Sequence, residues 1–203
     1  VLEKKNLDRQ LFRNNLVGQH KCVALMKQYN FRQNEGQAVC SYFDMDMLDT
    51  EYKYWFAQAN VIICAVDNHP ARKAAIEASK LLHTPLVVCA NEYHTSQAFY
   101  YCPTLEWELN LPMLDPIARY PEIATDTSGS PMGCQGEVLE SEPQLAIANQ
   151  VAASFGNYLI WSWFGLKLND SDELLKFMPV ETRQNLNLTT VSVSYNILEN
   201  YET

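Results

Sequence analysis

Residues 61–72 read VIICAVDNHPAR, and this stretch decides the fold class. Its β-branched apolar start is typical of a strand buried on both faces of a sheet. The pattern predicts a helix from Pro70 to Leu82, with small alanines along one face, and a second apolar strand over residues 86–90. Strands that alternate with helices at this spacing predict an α/β fold with a doubly wound, mainly parallel sheet.

The alternation continues on both sides of this stretch. Upstream, the apolar pattern predicts a helix over 18–29, a strand over 37–42 and a helix over 49–59. Downstream, it predicts a strand over 96–101, an irregular segment over 103–133, a helix over 143–165, a short helix over 170–177 and an edge strand over 189–197.

The bulk composition narrows the class of protein. The chain has 203 residues, of which 47% are hydrophobic, so one domain with its own core is expected. A net charge of −9 without a cluster of Lys and Arg argues against a nucleic-acid surface. Six cysteines without close pairing indicate a reducing cytoplasm and no disulfide framework. The longest apolar stretch, 145–164, contains several Asn, Gln and Ser residues, so it predicts a buried helix and no membrane span.

Asp67 directly follows the apolar strand, with Asn68 beside it. In open α/β sheets, ligands bind beyond the carboxyl ends of the strands, and a carboxylate at that position suits Mg²⁺ bound to phosphate. The spacing alone favours a simpler role, in which Asp67 or Asn68 caps the helix that begins near Pro70. The two roles are compatible.

A second group of polar and basic side chains lies near the start of the sequence and comprises Asn6, Arg9, Gln10, Arg13 and Lys21. Arginine offers a planar fork of donors to phosphate oxygens, and lysine offers a mobile point charge. A solvated basic surface is the better explanation for Arg13. It explains Arg9 less well, because Arg9 lies in a short polar motif between apolar Leu7 and Leu11.

Three motifs carry a family resemblance: NLDRQLF at 6–12, VGQHK at 17–21 and VDNHPAR at 66–72. In order, spacing and strand context they resemble the ThiF/MoeB family of ubiquitin-activating-enzyme-like proteins, over residues 1–92. The resemblance implies a Rossmann-like fold in a single domain over residues 1–203. In it, 1–92 would be a partial nucleotide-binding core, 93–142 a strand and a long crossover loop, and 143–203 a helix and a C-terminal strand.

The resemblance also implies roles for individual residues. Asn6, Arg9, Gln10 and Lys21 would hold the phosphates of ATP, Asp67 would ligate Mg²⁺, and Asn68 would lie beside it in the nucleotide site. Arg72 is similar to the helix arginine of the family, for which a structural role suffices.

The reaction implied is adenylation of the C-terminal carboxylate of a ubiquitin-like or sulfur-carrier protein. The protein would contribute mainly positioning and charge stabilisation to that transfer. Members of the family generally pair as homodimers, for which the apolar helix over 145–164 offers a surface.

Cys134 lies in the segment PMGCQGE at 131–137, at the place where the family carries its reactive cysteine in the crossover segment. A thiolate there would accept the activated acyl group as a thioester. An unreactive loop thiol explains the residue equally well. Many family members bind structural zinc through paired CxxC motifs, and because the sequence has none, no zinc is expected.

The start of the sequence departs from the family pattern. The family begins with a strand, a Gly-rich phosphate loop, a helix and a second strand that ends in an acidic residue. Because none of these precedes residue 6, we expect the sheet to lack its first strand and Gly-rich loop. We also expect the sequence to be an N-terminally incomplete piece of a longer protein.

Three functions compete at this point. The leading hypothesis is an ATP-dependent adenylyltransferase. The alternative is a non-catalytic partner subunit that keeps the fold for dimerisation and protein binding. A nicotinamide-dependent oxidoreductase on a similar sheet is a third hypothesis, but the sequence lacks the Gly-rich fingerprint that would support it.

Overall fold

The computed structural model describes residues 1–7, 10–30, 56–91, 95–104, 115–125, 146–168, 179–185 and 190–195. Numbered in chain order, the elements in these ranges are α1 (Lys21–Tyr29), β1 (Ile62–Cys64), α2 (His69–Leu82), β2 (Leu86–Asn91), β3 (Thr95–Tyr101), α3 (Pro116–Arg119), α4 (Glu122–Thr125), α5 (Ala146–Leu168), β4 (Pro179–Asn185) and β5 (Thr190–Tyr195). Single turns of 3₁₀ helix span Lys4–Asn6 and Asn14–Leu16. The predicted strand over 37–42 and the predicted short helix over 170–177 lie outside the described residues, as does most of the predicted helix over 49–59.

The five described strands form one mixed sheet in the order β1-β2-β3-β4-β5. The predicted α/β class is confirmed. Only β1 and β2 pair in parallel, however, and the other three described pairs are antiparallel. The reason lies in the connections: α2 supplies the crossover that a parallel pair needs, whereas three residues separate β2 from β3, which is enough only for a hairpin.

Helices cover both faces of the sheet. On one face, α2 contributes Ile76 to a core with Val88 and Phe99. On the other face, α5 contributes Leu159 and Trp163 to a core with Val87 and its neighbours on β3. Because successive side chains of a strand point to opposite faces, β2 serves both cores.

β1 differs from its sequence prediction. Ile62 and Cys64 are buried, but Ile63 between them is 57% exposed. The expectation that this strand is buried on both faces is therefore wrong for β1. The cause is the position of α5, which packs over β2, β3 and β4.

The long apolar segment forms α5, a 23-residue helix. It is not buried all round as predicted: Ala148, Ala152 and Leu159 face the protein, whereas Tyr158 and Trp161 are exposed. Among the described helices, none combines the length and the apolar character needed to cross a membrane. The strand predicted over 189–197 is confirmed as β5, which lies at the end of the sheet that the described residues form. β4 is an element that the sequence did not predict.

Candidate functional site

A cavity of about 380 Å³ opens beyond the carboxyl ends of β1 and β2. Ligands bind in this region of open α/β sheets. The cavity is lined by Asp67, His69, Arg72, Val88, Ala90, Asn91, Thr95, Gln97, Phe99, Tyr120, Glu122, Ile123 and Arg183. Residues from α2, from three strands and from the α3–α4 segment therefore meet at one place.

The start of α2 resolves the capping alternatives for Asp67 and Asn68. Asn68 adopts an extended conformation, and its Oδ1 accepts a hydrogen bond of 2.8 Å from the backbone N–H of Ala71. Asn68 is thus the N-cap. Asp67 is exposed and lines the cavity, so its carboxylate is not used by the cap.

Arg72 reaches from the first turns of α2 back to the end of β1. Its Nη2 donates a hydrogen bond of 3.1 Å to the carbonyl oxygen of Val66. Its Nε is buried and has no hydrogen-bond partner among the described residues. Within the same ranges no carboxylate forms an ion pair with this guanidinium. A half-buried cation in this state is suited to an anionic ligand.

A buried carboxylate lies behind two residues that line the cavity, Gln97 and Tyr120. Glu181 on β4 is 7% exposed. Its Oε2 pairs with Arg119 Nη2 at 2.5 Å, and its Oε1 accepts hydrogen bonds from Tyr120 Oη at 2.6 Å and Gln97 Nε2 at 2.7 Å. Three donors, one of them a cation, therefore satisfy a charge that would otherwise be costly to bury.

Tyr120 links this carboxylate to the core. Its ring stacks on Phe99 with the ring centroids 5.4 Å apart. Burial, reinforced by the Glu181 carboxylate that accepts a hydrogen bond from it, raises the pKa of the Tyr120 hydroxyl well above its ordinary value. The hydroxyl consequently remains protonated and acts as a donor toward Glu181.

The same network orients Gln97. An ionised carboxylate only accepts hydrogen bonds, so the amide group that faces Glu181 must be the NH₂ group. Gln97 Nε2 donates to Glu181 and also to Tyr120 Oη at 2.5 Å. Its Oε1 has no hydrogen-bond partner among the described residues.

The described phosphate-binding candidates near the N-terminus belong to the part of the chain that also forms the small core of Leu2, Leu16 and Ala24. Asn6 is 3% exposed, and its Oδ1 accepts a hydrogen bond of 2.9 Å from the backbone of Glu3. Gln10 has a buried Oε1 without a hydrogen-bond partner in the described part of the chain. Lys21 is the first residue of α1 and half-buried.

The cavity brings together only part of the predicted site. Of the predicted residues within the described ranges, Asp67 lines it, whereas Asn6, Gln10, Lys21 and Asn68 do not. Arg9 and Cys134 lie outside the described residues. The roles assigned to all of these residues by resemblance stay predictions.

Sequence reasoning missed Gln97, Tyr120, Glu181 and Arg183. The sequence carries only a weak signal for Glu181 and Arg183, which occupy alternate positions of β4. In the sheet, Arg183 pairs with Gln97 on β3. No local pattern links Tyr120 to a carboxylate 61 positions away.

The described residues contain no group of three or more His, Cys, Asp or Glu side chains placed to hold a metal ion. Mg²⁺ in nucleotide sites takes one or two carboxylates, and phosphates and water complete its shell. Asp67 offers one exposed carboxylate. It fits that arrangement when phosphate supplies further ligands to the metal ion.

No protein-family model and no curated protein sequence matches the chain. Solved structures do match. The structure of Escherichia coli MccB superposes with a TM-score of 0.60 at 14% sequence identity, covering 96% of this chain and 53% of MccB. The chain shares the Rossmann-like fold of MccB.

Two further structures agree. An MccB structure with ATP matches with a TM-score of 0.57 at 16% identity, over 96% of this chain and 53% of that one. PaaA matches with a TM-score of 0.50 at 16% identity, over 97% of this chain and 62% of PaaA. The chain thus spans about half the length of MccB, and the likeness supports the ThiF-like fold predicted from residues 1–92.

Proposed function

We propose that this chain is part of an ATP-dependent adenylating enzyme that activates the C-terminal carboxylate of a peptide or carrier protein of the ubiquitin-like or sulfur-carrier type. The observation that carries the proposal is the pair Asp67 and Arg72. An exposed carboxylate and a guanidinium without an ionic partner in the described ranges line one cavity at the carboxyl ends of β1 and β2. Such a pair suits a cation-bound nucleotide next to a carboxylate substrate.

The structural neighbours support the same chemistry. Structures of E. coli MccB include one with ATP and one with AMPCPP and MccA. A nucleotide and a second molecule are therefore present together in a protein of this fold. By analogy, we assign ATP and a protein C-terminus to the present chain.

In the proposed reaction, a carboxylate oxygen of the carrier attacks the α-phosphorus of ATP. An O–P bond forms, the bond from the α-phosphorus to the bridging oxygen breaks, and pyrophosphate leaves with the electron pair. Magnesium, when bound, offsets the negative charge of the phosphates. Asp67 would hold that ion, while Asn6, Arg9, Gln10 and Lys21 would hold the phosphate oxygens, with Asn68 beside them.

Three finer assignments belong to this proposal. The Cys134 thiolate would attack the carbonyl carbon of the acyl adenylate, so that a thioester forms, the acyl C–O bond breaks and AMP leaves. The protein would work as a homodimer, and its compartment would be the cytoplasm. A thioester adduct that is released by dithiothreitol and lost in Cys134→Ala tests the first. An adduct that survives Cys134→Ala would rule that nucleophile out.

ATP binding in the presence of Mg²⁺, measured by calorimetry on the full-length protein, tests the central claim. Asp67→Asn should weaken binding of the Mg²⁺ complex by at least tenfold, since it removes the charge that binds the cation. Glu77→Gln makes the same kind of change at a half-buried position of α2 that does not line the cavity, and it is the matched control. No ATP binding by the wild type, or equal binding by Asp67→Asn, would refute the proposal.

One observation favours the second candidate, a non-catalytic partner subunit. Trp161 is 76% exposed and Tyr158 is 43% exposed on the outer side of α5. Exposed aromatic side chains are enriched at protein interfaces. This candidate predicts a dimer that dissociates in Trp161→Lys but shows no affinity for ATP, so the same calorimetry separates the two functions.

A further inference from the structure

The side chain of Gln28 joins helix α1 to the end of the first sequence motif. Its Nε2 donates a hydrogen bond of 2.6 Å to the carbonyl oxygen of Leu11, and its Oε1 accepts one of 3.0 Å from the backbone N–H of Arg13. A side-chain amide carries a donor group and an acceptor group, and here each has a backbone partner. We call these two hydrogen bonds the Gln28 clamp.

Backbone hydrogen bonds continue from the clamp back along the motif. The N–H of Phe12 donates to the carbonyl oxygen of Gln10 at 2.8 Å, and the N–H of Gln10 donates to that of Asn6 at 2.8 Å. Asn6 is only 3% exposed, and its Oδ1 accepts a hydrogen bond from the backbone N–H of Glu3. Gln10 therefore lies between a buried anchor at Asn6 and the Gln28 clamp.

The phosphate ligands predicted for this part of the chain lie on two different elements. Gln10 belongs to the motif at 6–12, whereas Lys21 is the first residue of α1. Gln28 follows Lys21 by seven positions, which is about two turns of helix, so both side chains leave the same side of α1. The clamp thus fixes the motif against the side of α1 from which Lys21 projects.

We propose that Gln28 is a positioning residue for the phosphates of ATP. It holds the backbone at 10–13 in place relative to α1, so that Gln10 and Lys21 bind one polyphosphate chain together. Binding groups act together only when their relative position is kept, and Gln28 acts through that position without touching the nucleotide. This assignment rests on the proposed function and adds a residue that none of the three sequence motifs contains.

A role in stability alone explains the clamp less well. Both hydrogen bonds are exposed to solvent, and the net contribution of a hydrogen bond is small because water competes for its partners. An apolar core of Leu2, Leu16 and Ala24, with Phe12 packed against it, holds this part of the chain together. Loss of the clamp should therefore leave the fold intact and loosen only residues 11–13.

The test is calorimetry on the full-length protein with three probes: Mg²⁺–ATP, Mg²⁺–tripolyphosphate and adenosine. In Gln28→Met, a thioether of similar length replaces the amide and cannot donate a hydrogen bond. We expect this variant to bind ATP and tripolyphosphate about three- to tenfold more weakly, the effect of about one net hydrogen bond. Adenosine has no phosphate, so its affinity should change by less than about twofold.

A matched variant and a stability measurement separate positioning from general damage. Gln150→Met makes the same change at an exposed position of α5 and should alter none of the three affinities. The urea midpoint of Gln28→Met should stay close to that of the wild type. If Gln28→Met loses as much affinity for adenosine as for ATP, the role of Gln28 is structural and the inference is overturned.

Hydrogen exchange of the wild type tests the clamp without any variant. The Arg13 N–H should exchange more slowly than an unbonded amide, because Gln28 accepts it. An Arg13 amide that exchanges at the unprotected rate would overturn the inference. Gln28→Ala removes the same two hydrogen bonds and replaces Gln28→Met in the binding experiments if the latter does not fold.

The binding results also distinguish this inference from the proposed function. If the wild type binds ATP and Gln28→Met binds it equally well, the inference fails while the proposed function stands. If the wild type binds tripolyphosphate but not ATP, and Gln28→Met weakens that binding, the positioning role stands and the adenylation proposal fails. A wild type that binds neither probe refutes both.

Discussion

Tyr120 donates a hydrogen bond of 2.6 Å to Glu181 Oε1 and joins the α3–α4 segment to a strand 61 positions later in the chain. The contact closes one side of the cavity and satisfies a carboxylate that is only 7% exposed. Two other donors, from Arg119 and Gln97, complete the arrangement. The stability of this side of the cavity therefore depends on a few hydrogen bonds and one ion pair.

Tyr120→Phe should lower the free energy of unfolding by about 1–3 kcal/mol, because the substitution leaves a buried carboxylate with one donor fewer. Urea unfolding monitored by circular dichroism measures the change. Tyr158→Phe removes a hydroxyl from an exposed tyrosine of α5 and should be close to neutral. Equal effects of the two substitutions would show that the Tyr120–Glu181 hydrogen bond contributes nothing to stability.

The ion pair between Arg119 and Glu181 should matter more than the pair between Lys80 and Asp115. In the first pair the side chains are 20% and 9% exposed, and in the second 34% and 38%. Arg119→Met should cost about 3–5 kcal/mol because it leaves a buried charge unpaired, and Lys80→Met less than about 1 kcal/mol because solvent screens the pair. Unfolding free energies of both variants provide the measurement, and the reverse order would contradict the burial argument.

An element can be predicted from the sequence when the residues that determine it are close together along the chain. The helix that became α2 and the strands β2 and β3 carry their signal in local apolar patterns, and their observed bounds lie close to the predicted ones. β4 reads PVETRQN and has no such pattern. It is a strand because β3 and β5 pair with it on either side.

The candidate site likewise contains residues that the sequence predicts and residues that it does not. Asp67 was predicted because it follows a strand, which is a local fact. The burial of Glu181 depends on the cation of Arg119 and on Gln97, which lies 84 positions away. No local pattern predicts that such distant residues are in contact, so this part of the site could be identified only from the structure.

Asn68 and Asp67 should separate into a structural and a functional residue. Asn68→Ala removes the side-chain acceptor for Ala71 N–H and should cost about 1 kcal/mol of unfolding free energy, whereas Asn68→Asp should retain the cap. Asp67→Asn should leave stability nearly unchanged, since Asp67 is exposed and is not the cap, while it weakens ATP binding. A large stability loss in Asp67→Asn would contradict this division.

Stability should fall in alkaline solution. Burial raises the pKa of the Cys89 thiol to about 11. Below about pH 8.5 the thiol is protonated in both the folded and the unfolded state. Above that pH the thiol ionises first in the unfolded state, which lowers the free energy of the unfolded state relative to the folded one. The free energy of unfolding should therefore drop between about pH 8.5 and 11, with roughly 2 kcal/mol of the loss at pH 10.5 due to this thiol.

Urea titrations at pH 7.5 and 10.5 measure that loss. Cys89→Ala should reduce the difference between the two pH values, whereas Cys22→Ala, which deletes a thiol on α1 outside the sheet, serves as the control. Burial also raises the pKa of Tyr100, so part of the alkaline loss should persist in Cys89→Ala. A pH dependence unchanged by Cys89→Ala would contradict the assignment.

Two glycines of α5 should respond to alanine with opposite signs. A Cβ at Gly156 would lie 2.5 Å from Cys89 Sγ, whereas a Cβ at Gly165 would meet nothing within 4 Å. Gly156→Ala should destabilise the protein by about 1–3 kcal/mol through overpacking against β2. Gly165→Ala should stabilise it by up to about 1 kcal/mol, because alanine favours the helix. Combining Gly156→Ala with Cys89→Ala removes the clashing sulfur and should restore part of the loss; strictly additive losses in the double variant would mean that the helix does not approach β2 at this point.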